Sequence, residues 1–139
     1  AVSLREALRG IKNVGPSDEL GYGMNMAPSM MKLLRQMKPG ESGADYHERG
    51  SWFSLCRLEW DRPTHTVQAS HGVAGGCSCI YPDEDRRLTI PELRRVCSFP
   101  EDFSLTGSYK ERWERLGRSV PPFVMRAIAT EVSRCLRLS

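Results

Sequence analysis

Gly117, Arg118, Ser119 and Val120 run directly into Pro121 and Pro122, and an apolar, helix-patterned stretch follows at once. Prolines fit the first turn of a helix, where their missing N–H would lack a partner anyway. The four residues before them then lie at a helix N-terminus. Free N–H groups and the positive end of the dipole suit that place to a carboxylate or a phosphate. On local physics alone the plainer reading is a tight helix–helix connection with no ligand. A second chemical candidate lies further upstream. Thr66 and Val67 sit in a β-branched run, and Ser70, His71 and Gly72 open a glycine-rich loop that continues to Gly75 and Gly76. Such a loop lets backbone approach another molecule closely, or simply turns a hairpin. His65, His71, Cys77 and Cys79 raise a zinc-bound module as a rival, but their spacing matches no standard zinc pattern, so no metal is expected.

The thiols bound the remaining chemistry. Cys56, Cys77, Cys79, Cys97 and Cys135 are odd in number and irregular in spacing, with no C-x-x-C pair. They read as reduced, intracellular thiols and not as a disulfide framework. Cys97 falls on a helical face and is expected to be a packed thiol, not a nucleophile. The 139 residues suffice for one modest domain or two small lobes, and 40% of them are apolar. No apolar run is long enough to span a membrane. The N-terminus carries charges in a short helical pattern without a signal-peptide core. A net charge of +3 permits nucleic-acid binding without demanding it.

The elements that must position these residues follow from pattern. Ser3 and Glu6 form a capping box before Leu4, Ala7, Leu8 and Ile11, so a helix is expected over 4–11. Pro28 opens a second helix that stops at Pro39-Gly40, with Met30, Leu33, Leu34 and Met37 as core filler. "SWFSLCRLEW", "THTVQAS" and "CSCIY" then read as three strands, the first with Cys56, Leu58 and Trp60 on one side. Thr89/Glu92 and Ser108/Glu111 are two more capping boxes. The helix after Ser108 holds Trp113 and Leu116 and is expected to end at Gly117. The last helix, from Pro121-Pro122, carries Val124, Ile128, Val132, Cys135 and Leu136 on one stripe, widened by Phe123, Met125, Ala127 and Ala129. A face this wide must be buried somewhere, and a chain of this size has little core to offer it.

Two stretches in this order carry a specific resemblance. "RRLTIPELRRVCSFPEDF" resembles a closing motif of the C5-cytosine DNA methyltransferases through Arg87, Leu88, Thr89, Glu92, Arg95, Phe99, Pro100, Asp102 and Phe103. "RLGRSVPPFVMRAIA" resembles the last motif through Gly117, Ser119, Val120, Pro121, Pro122, Ala127, Ile128 and Ala129. "RLEWDRPTHTV" is similar to the segment of the family's target-recognition region that holds a Thr-Val or Thr-Leu pair, and "IYPDEDR" to its Ile-His-Pro-x-x-x-Arg. The family's catalytic Pro-Cys pair, its Phe-x-Gly-x-Gly turn and its Glu-Asn-Val segment do not occur.

The resemblance implies the C-terminal part of such an enzyme. That part is either the small subunit of a naturally split methyltransferase or a piece of one longer chain, and it is inactive alone. The implied fold is α+β. A small β-rich target-recognition lobe (1–85) is followed by C-terminal helices (86–139) that pack on a catalytic Rossmann-like domain not present in this chain. Thr66, with Val67, would contact a phosphate beside a flipped cytosine, while Ser70, His71 and Gly72 could meet base edges. Arg118, Ser119 and Val120 would line the S-adenosyl-L-methionine pocket shared with the missing domain. Arg118 stands where the family usually has asparagine, and it can only donate. Cys97 replaces a glutamine, and Tyr81 a histidine. Arg87 would support the interface between the lobes. The implied partners are double-stranded DNA and the catalytic portion, in a bacterial or phage cytoplasm or nucleoid and away from membranes. The other reading is a stand-alone DNA-binding regulator derived from a methyltransferase. Such a protein would pack its last helix internally.

Overall fold

The computed structural model describes residues 2–11, 26–46, 55–69 and 79–137. Helix α1 (Leu4–Ala7) is shorter than its apolar pattern predicts, because the chain turns off at Leu8 and reaches a left-handed Gly10 with φ of 69°. α2 (Pro28–Leu34) starts at its proline as expected and ends before Pro39. One 3₁₀ turn follows at Gly43–Tyr46. α3 (Ile90–Val96), α4 (Tyr109–Arg118) and α5 (Pro122–Arg137) complete the chain. The three capping boxes at Ser3, Thr89 and Ser108 are all formed, each with its glutamate reaching back. Each box satisfies two backbone donors that a helix start would otherwise leave open.

The expected β-rich lobe is not found among the described residues. Among the described residues there is no strand, only isolated bridges joining Ser42 to Cys56, Arg57 to Ile80 and Ile80 to Arg87. For the described residues the α+β assignment is therefore corrected to a mostly helical fold with irregular connections. The physical reason lies at Arg57. Alternation of apolar residues reports an extended backbone, not a paired one. Leu55, Arg57 and Leu58 are all buried, so both faces of this segment are covered. Ile80 exchanges one pair of backbone bonds with Cys56 and Leu58, and Pro82 follows two residues later. From there the Arg57 guanidinium takes over the work of a ladder. It donates to the carbonyls of Tyr81 (3.3 Å), Pro82 (3.2 Å), Glu84 (3.1 Å) and Leu34 (2.6 Å), and pairs with Asp85 at 2.5 Å. Residues 64–68 are neither helix nor strand, residue 69 is a bend, and they join no sheet. Residues 51–54 and 70–78, which hold the rest of the first and third expected strands and the glycine-rich loop, lie outside the described residues.

One core runs through the described chain. Leu4 and Leu8 of the α1 region, Met30, Leu34 and Met37 around α2, and Leu55, Leu58 and Ile80 of the extended segments meet Leu88, Leu93, Trp113 and Leu116. The methionines of α2 are core filler, as their spacing predicts. α5 takes no part in this core, for none of its residues is buried. Its Phe123, Val124, Met125, Ile128, Val132 and Leu136 are between 48% and 71% exposed.

Candidate functional site

The two candidate stretches meet on α4. Trp113 is buried and its indole N–H donates to the Gln68 carbonyl at 2.9 Å. One turn on, Gly117 lies against the backbone of the same segment. A Cβ there would stand 2.7 Å from the Ala69 nitrogen and 2.8 Å from the Gln68 carbonyl carbon. Gly117 is thus not the end of the helix. It lies inside α4, which continues through Arg118, and it is glycine because backbone passes over it. Thr66 is exposed on this segment and Val67 packs half-buried against the core. Ser70, His71 and Gly72 lie outside the described residues.

Arg118, Ser119 and Val120 follow Gly117 at once. Arg118 is exposed and pairs with Glu114 at 2.5 Å, one helical turn back. Ser119 caps α4 in extended conformation, and its Oγ–H donates to the Leu116 carbonyl at 2.7 Å. Val120 is 55% exposed. At the start of α5 the donors are already committed. Pro121 and Pro122 have none. Phe123 N–H donates to Ser98 Oγ at 3.1 Å, and the Val124 and Met125 N–H groups both donate to the Pro121 carbonyl. The first turn of α5 therefore keeps no free backbone donor for an anion through Met125, and locally it is the tight connection. What this loop presents outward is the Arg118 side chain and the apolar Val120.

Ser98 itself is unusual. It ends α3 with φ of 60°, a left-handed conformation that residues with a Cβ seldom adopt. Its N–H closes on Arg95 and that of Phe99 on Arg94, as in a Schellman ending. This leaves its hydroxyl pointing at α5. Beneath the start of α5 lies an apolar groove of about 690 Å³, lined by Val2, Leu4 and Ala7 from one side and Val96, Phe99, Pro121 and Phe123 from the other.

Sequence reasoning missed Arg86. Its guanidinium bonds both oxygens of Glu92 at 2.8 and 3.0 Å, reaches Glu84 at 2.8 Å, and lies 4.0 Å over the Tyr81 ring. Burial opposes its charge, but the hydrogen bonds to Glu92 and Glu84 outweigh that and hold its pKa above the ordinary value. Glu92 is 1% exposed and also accepts from the Thr89 N–H. Arg87, the arginine matched to the closing motif, has instead an enclosed Nε with no hydrogen-bond partner among the described residues. The Arg86-Arg87 pair just ahead of the Thr89/Glu92 capping box was the available signal.

Among the described residues no three His, Cys, Asp or Glu side chains gather to hold a metal. His65 is exposed and Cys79 buried, while His71 and Cys77 lie outside the described residues. Cys97 is buried, and burial pushes its thiol up to about 11. At pH 8 only about one part in a thousand would be thiolate, the reactive form. Cys135, exposed on α5, should therefore react with a maleimide at least about 100-fold faster than Cys97. Peptide mapping after timed labelling would read both. Equal rates would show that Cys97 is open to solvent and ionised, against its buried place at the end of α3.

Comparison with known proteins bears on this arrangement. A family model described as C-5 cytosine-specific DNA methylase matches residues 8–134. The type II methyltransferase M.AquIB of Picosynechococcus sp. is 33% identical over 122 residues, which cover 79% of this chain and 84% of M.AquIB. M.AgeI of Thalassovita gelatinovora is 38% identical over 77 residues, covering 55% of this chain and 18% of that enzyme. M.SacI of Streptomyces achromogenes is 27% identical over 137 residues, covering 86% of this chain and 34% of its own length. The chain thus spans well under half of the larger relatives and most of M.AquIB.

Proposed function

This chain belongs to the C-5 cytosine-specific DNA methylase family, and from that premise we propose that it supplies the target-recognition region and closing motifs of a cytosine-5 DNA methyltransferase. A catalytic portion, carried in a separate subunit or elsewhere in a longer chain, provides the nucleophilic cysteine and most of the S-adenosylmethionine pocket. The observation that carries this reading is α5. A helix of 16 residues with an apolar face and no buried side chain is half of an interface. It follows directly on the loop that resembles the family's last motif. The match to most of M.AquIB, a methyltransferase of about this size, favours the two-subunit arrangement.

The chemistry sets the division of labour. S-adenosylmethionine would supply the methyl group as its sulfonium leaves as thioether, the catalytic portion's thiolate would activate the cytosine by adding at C6, and loss of the C5 proton with expulsion of that thiolate would restore the ring. The base must leave the duplex first, at a cost of a few kcal/mol that contacts to the flanking phosphates and the orphaned partner base offset. In this reading Thr66 and Val67 serve the phosphate beside the flipped base. Ser70, His71 and Gly72 read base edges in the major groove. Ser119 and Val120 close the cofactor pocket. Arg118, where the family has asparagine, offers a cation to the cofactor carboxylate. The recognition region would end near residue 85, and the segment from 86 would complete the catalytic domain.

Transfer of a labelled methyl group to duplex DNA tests the proposal, with this chain alone, the catalytic portion alone, and the two mixed. Activity only in the mixture is the expected result. A folded, soluble mixture without transfer would favour the DNA-binding regulator. Transfer by this chain alone would overturn the proposed division of labour.

A further inference from the structure

The contact between α4 and the segment before residue 70 assigns a task to two residues outside the expected DNA and cofactor sets. Resting on the reading of Thr66 as a phosphate contact, we propose that Trp113 and Gly117 are positioning residues for DNA, fixing the height and register at which Thr66 is presented. The segment at residues 64–69 joins no sheet ladder. Here the Gln68 carbonyl is held by the Trp113 N–H at 2.9 Å, and the Gln68–Ala69 backbone rests where Gly117 has no side chain. Trp113 is 1% exposed, so its ring cannot move without disturbing the core. The atoms facing Gly117 are backbone, not the tip of a flexible side chain, and they can yield only by moving the segment. In an open helix alanine would be the better residue at this position. In this helix it would lift residues 68 and 69 and carry Thr66 with them. The glycine of the closing motif therefore serves the recognition segment, although it adjoins the cofactor loop in sequence.

The test compares wild type, Trp113→Phe and Gly117→Ala in the full-length protein that carries this sequence. Amide order parameters are measured by NMR, and KM is measured with the catalytic portion present. Trp113→Phe keeps a buried ring and removes the donor, so it decides the matter if Gly117→Ala fails to fold. In both variants the order parameters of residues 66–69 are expected to fall below about 0.6 while those of α3 stay near 0.85. KM for duplex DNA is expected to rise tenfold or more, with KM for S-adenosylmethionine within about twofold of wild type, since uniform binding is what is lost. Unchanged order at 66–69 would overturn the inference. So would a rise in KM for S-adenosylmethionine alone, which would return Gly117 to the cofactor loop. A wild-type mixture that transfers no methyl group would count against the proposed function, and the order parameters would still decide the positioning role.

Discussion

Replacement of Ile128 by aspartate is expected to leave this chain folded and to abolish methyl transfer by the mixture. Ile128 is 51% exposed at the centre of the Val124–Ile128–Val132 stripe, and no part of α5 joins the core. In the free chain the substitution changes only helix propensity and surface charge, so the urea midpoint should shift by no more than about 0.5 kcal/mol equivalent. In the assembled enzyme the same carboxylate would be stripped of water against an apolar surface with no partner. That penalty is several kcal/mol. Even 2.8 kcal/mol, an estimate at the low end, is about 100-fold in affinity. Titration of the variant into the catalytic portion would show it, as transfer regained only at roughly 100-fold higher concentration or not at all. Wild-type transfer at wild-type concentrations would remove α5 from the interface.

Arg57→Ala is expected to have the largest effect on stability. The side chain is buried, and its five bonds tie the end of α2 to the turn at residues 81–85. Removing it leaves backbone carbonyls and Asp85 without their donor. Loss of one partner from a buried charged network costs about 3–5 kcal/mol. A domain of this size is stable by only about 5–15 kcal/mol, so the variant should be partly unfolded or close to it. Urea denaturation followed by circular dichroism would measure the shift. Arg57→Lys keeps the charge but not the planar fork, and should recover little. A wild-type midpoint in Arg57→Ala would mean that water replaces the guanidinium at small cost, and that the extended segments are held by packing alone.

What could be read from the sequence was what local chemistry decides. Ser3, Thr89 and Ser108 each stand three residues before a glutamate, and a capping box needs nothing more. The stripes of Met30 and Leu34 and of Trp113 and Leu116 pointed to the core because helical spacing fixes a face. The lack of internal cover for α5 followed from its breadth set against a short chain. The sheet was misread because alternation at residues 51–60 cannot tell a strand from an extended segment bonded by a distant arginine. Gly117 was misread for a related reason. A glycine near a helix end suggests a cap, and only the position of Ala69 shows that it gives clearance instead. The proposed cofactor and DNA roles of the two stretches rest on motif resemblance alone. Their meeting on α4 depends on a fold that brings Gln68 to Trp113, 45 positions apart.

The left-handed Ser98 has a consequence in the geometry of levers. It closes α3, and its hydroxyl takes the first available N–H of α5. The 16 residues of α5 extend about 24 Å from that point. A change of only about 10° in direction at the base would sweep the far end, near Leu136, through about 4 Å, most of a helical turn. The Ser98 hydroxyl thus sits at the base of this lever, bonded to the first donor of the helix that carries the apolar face.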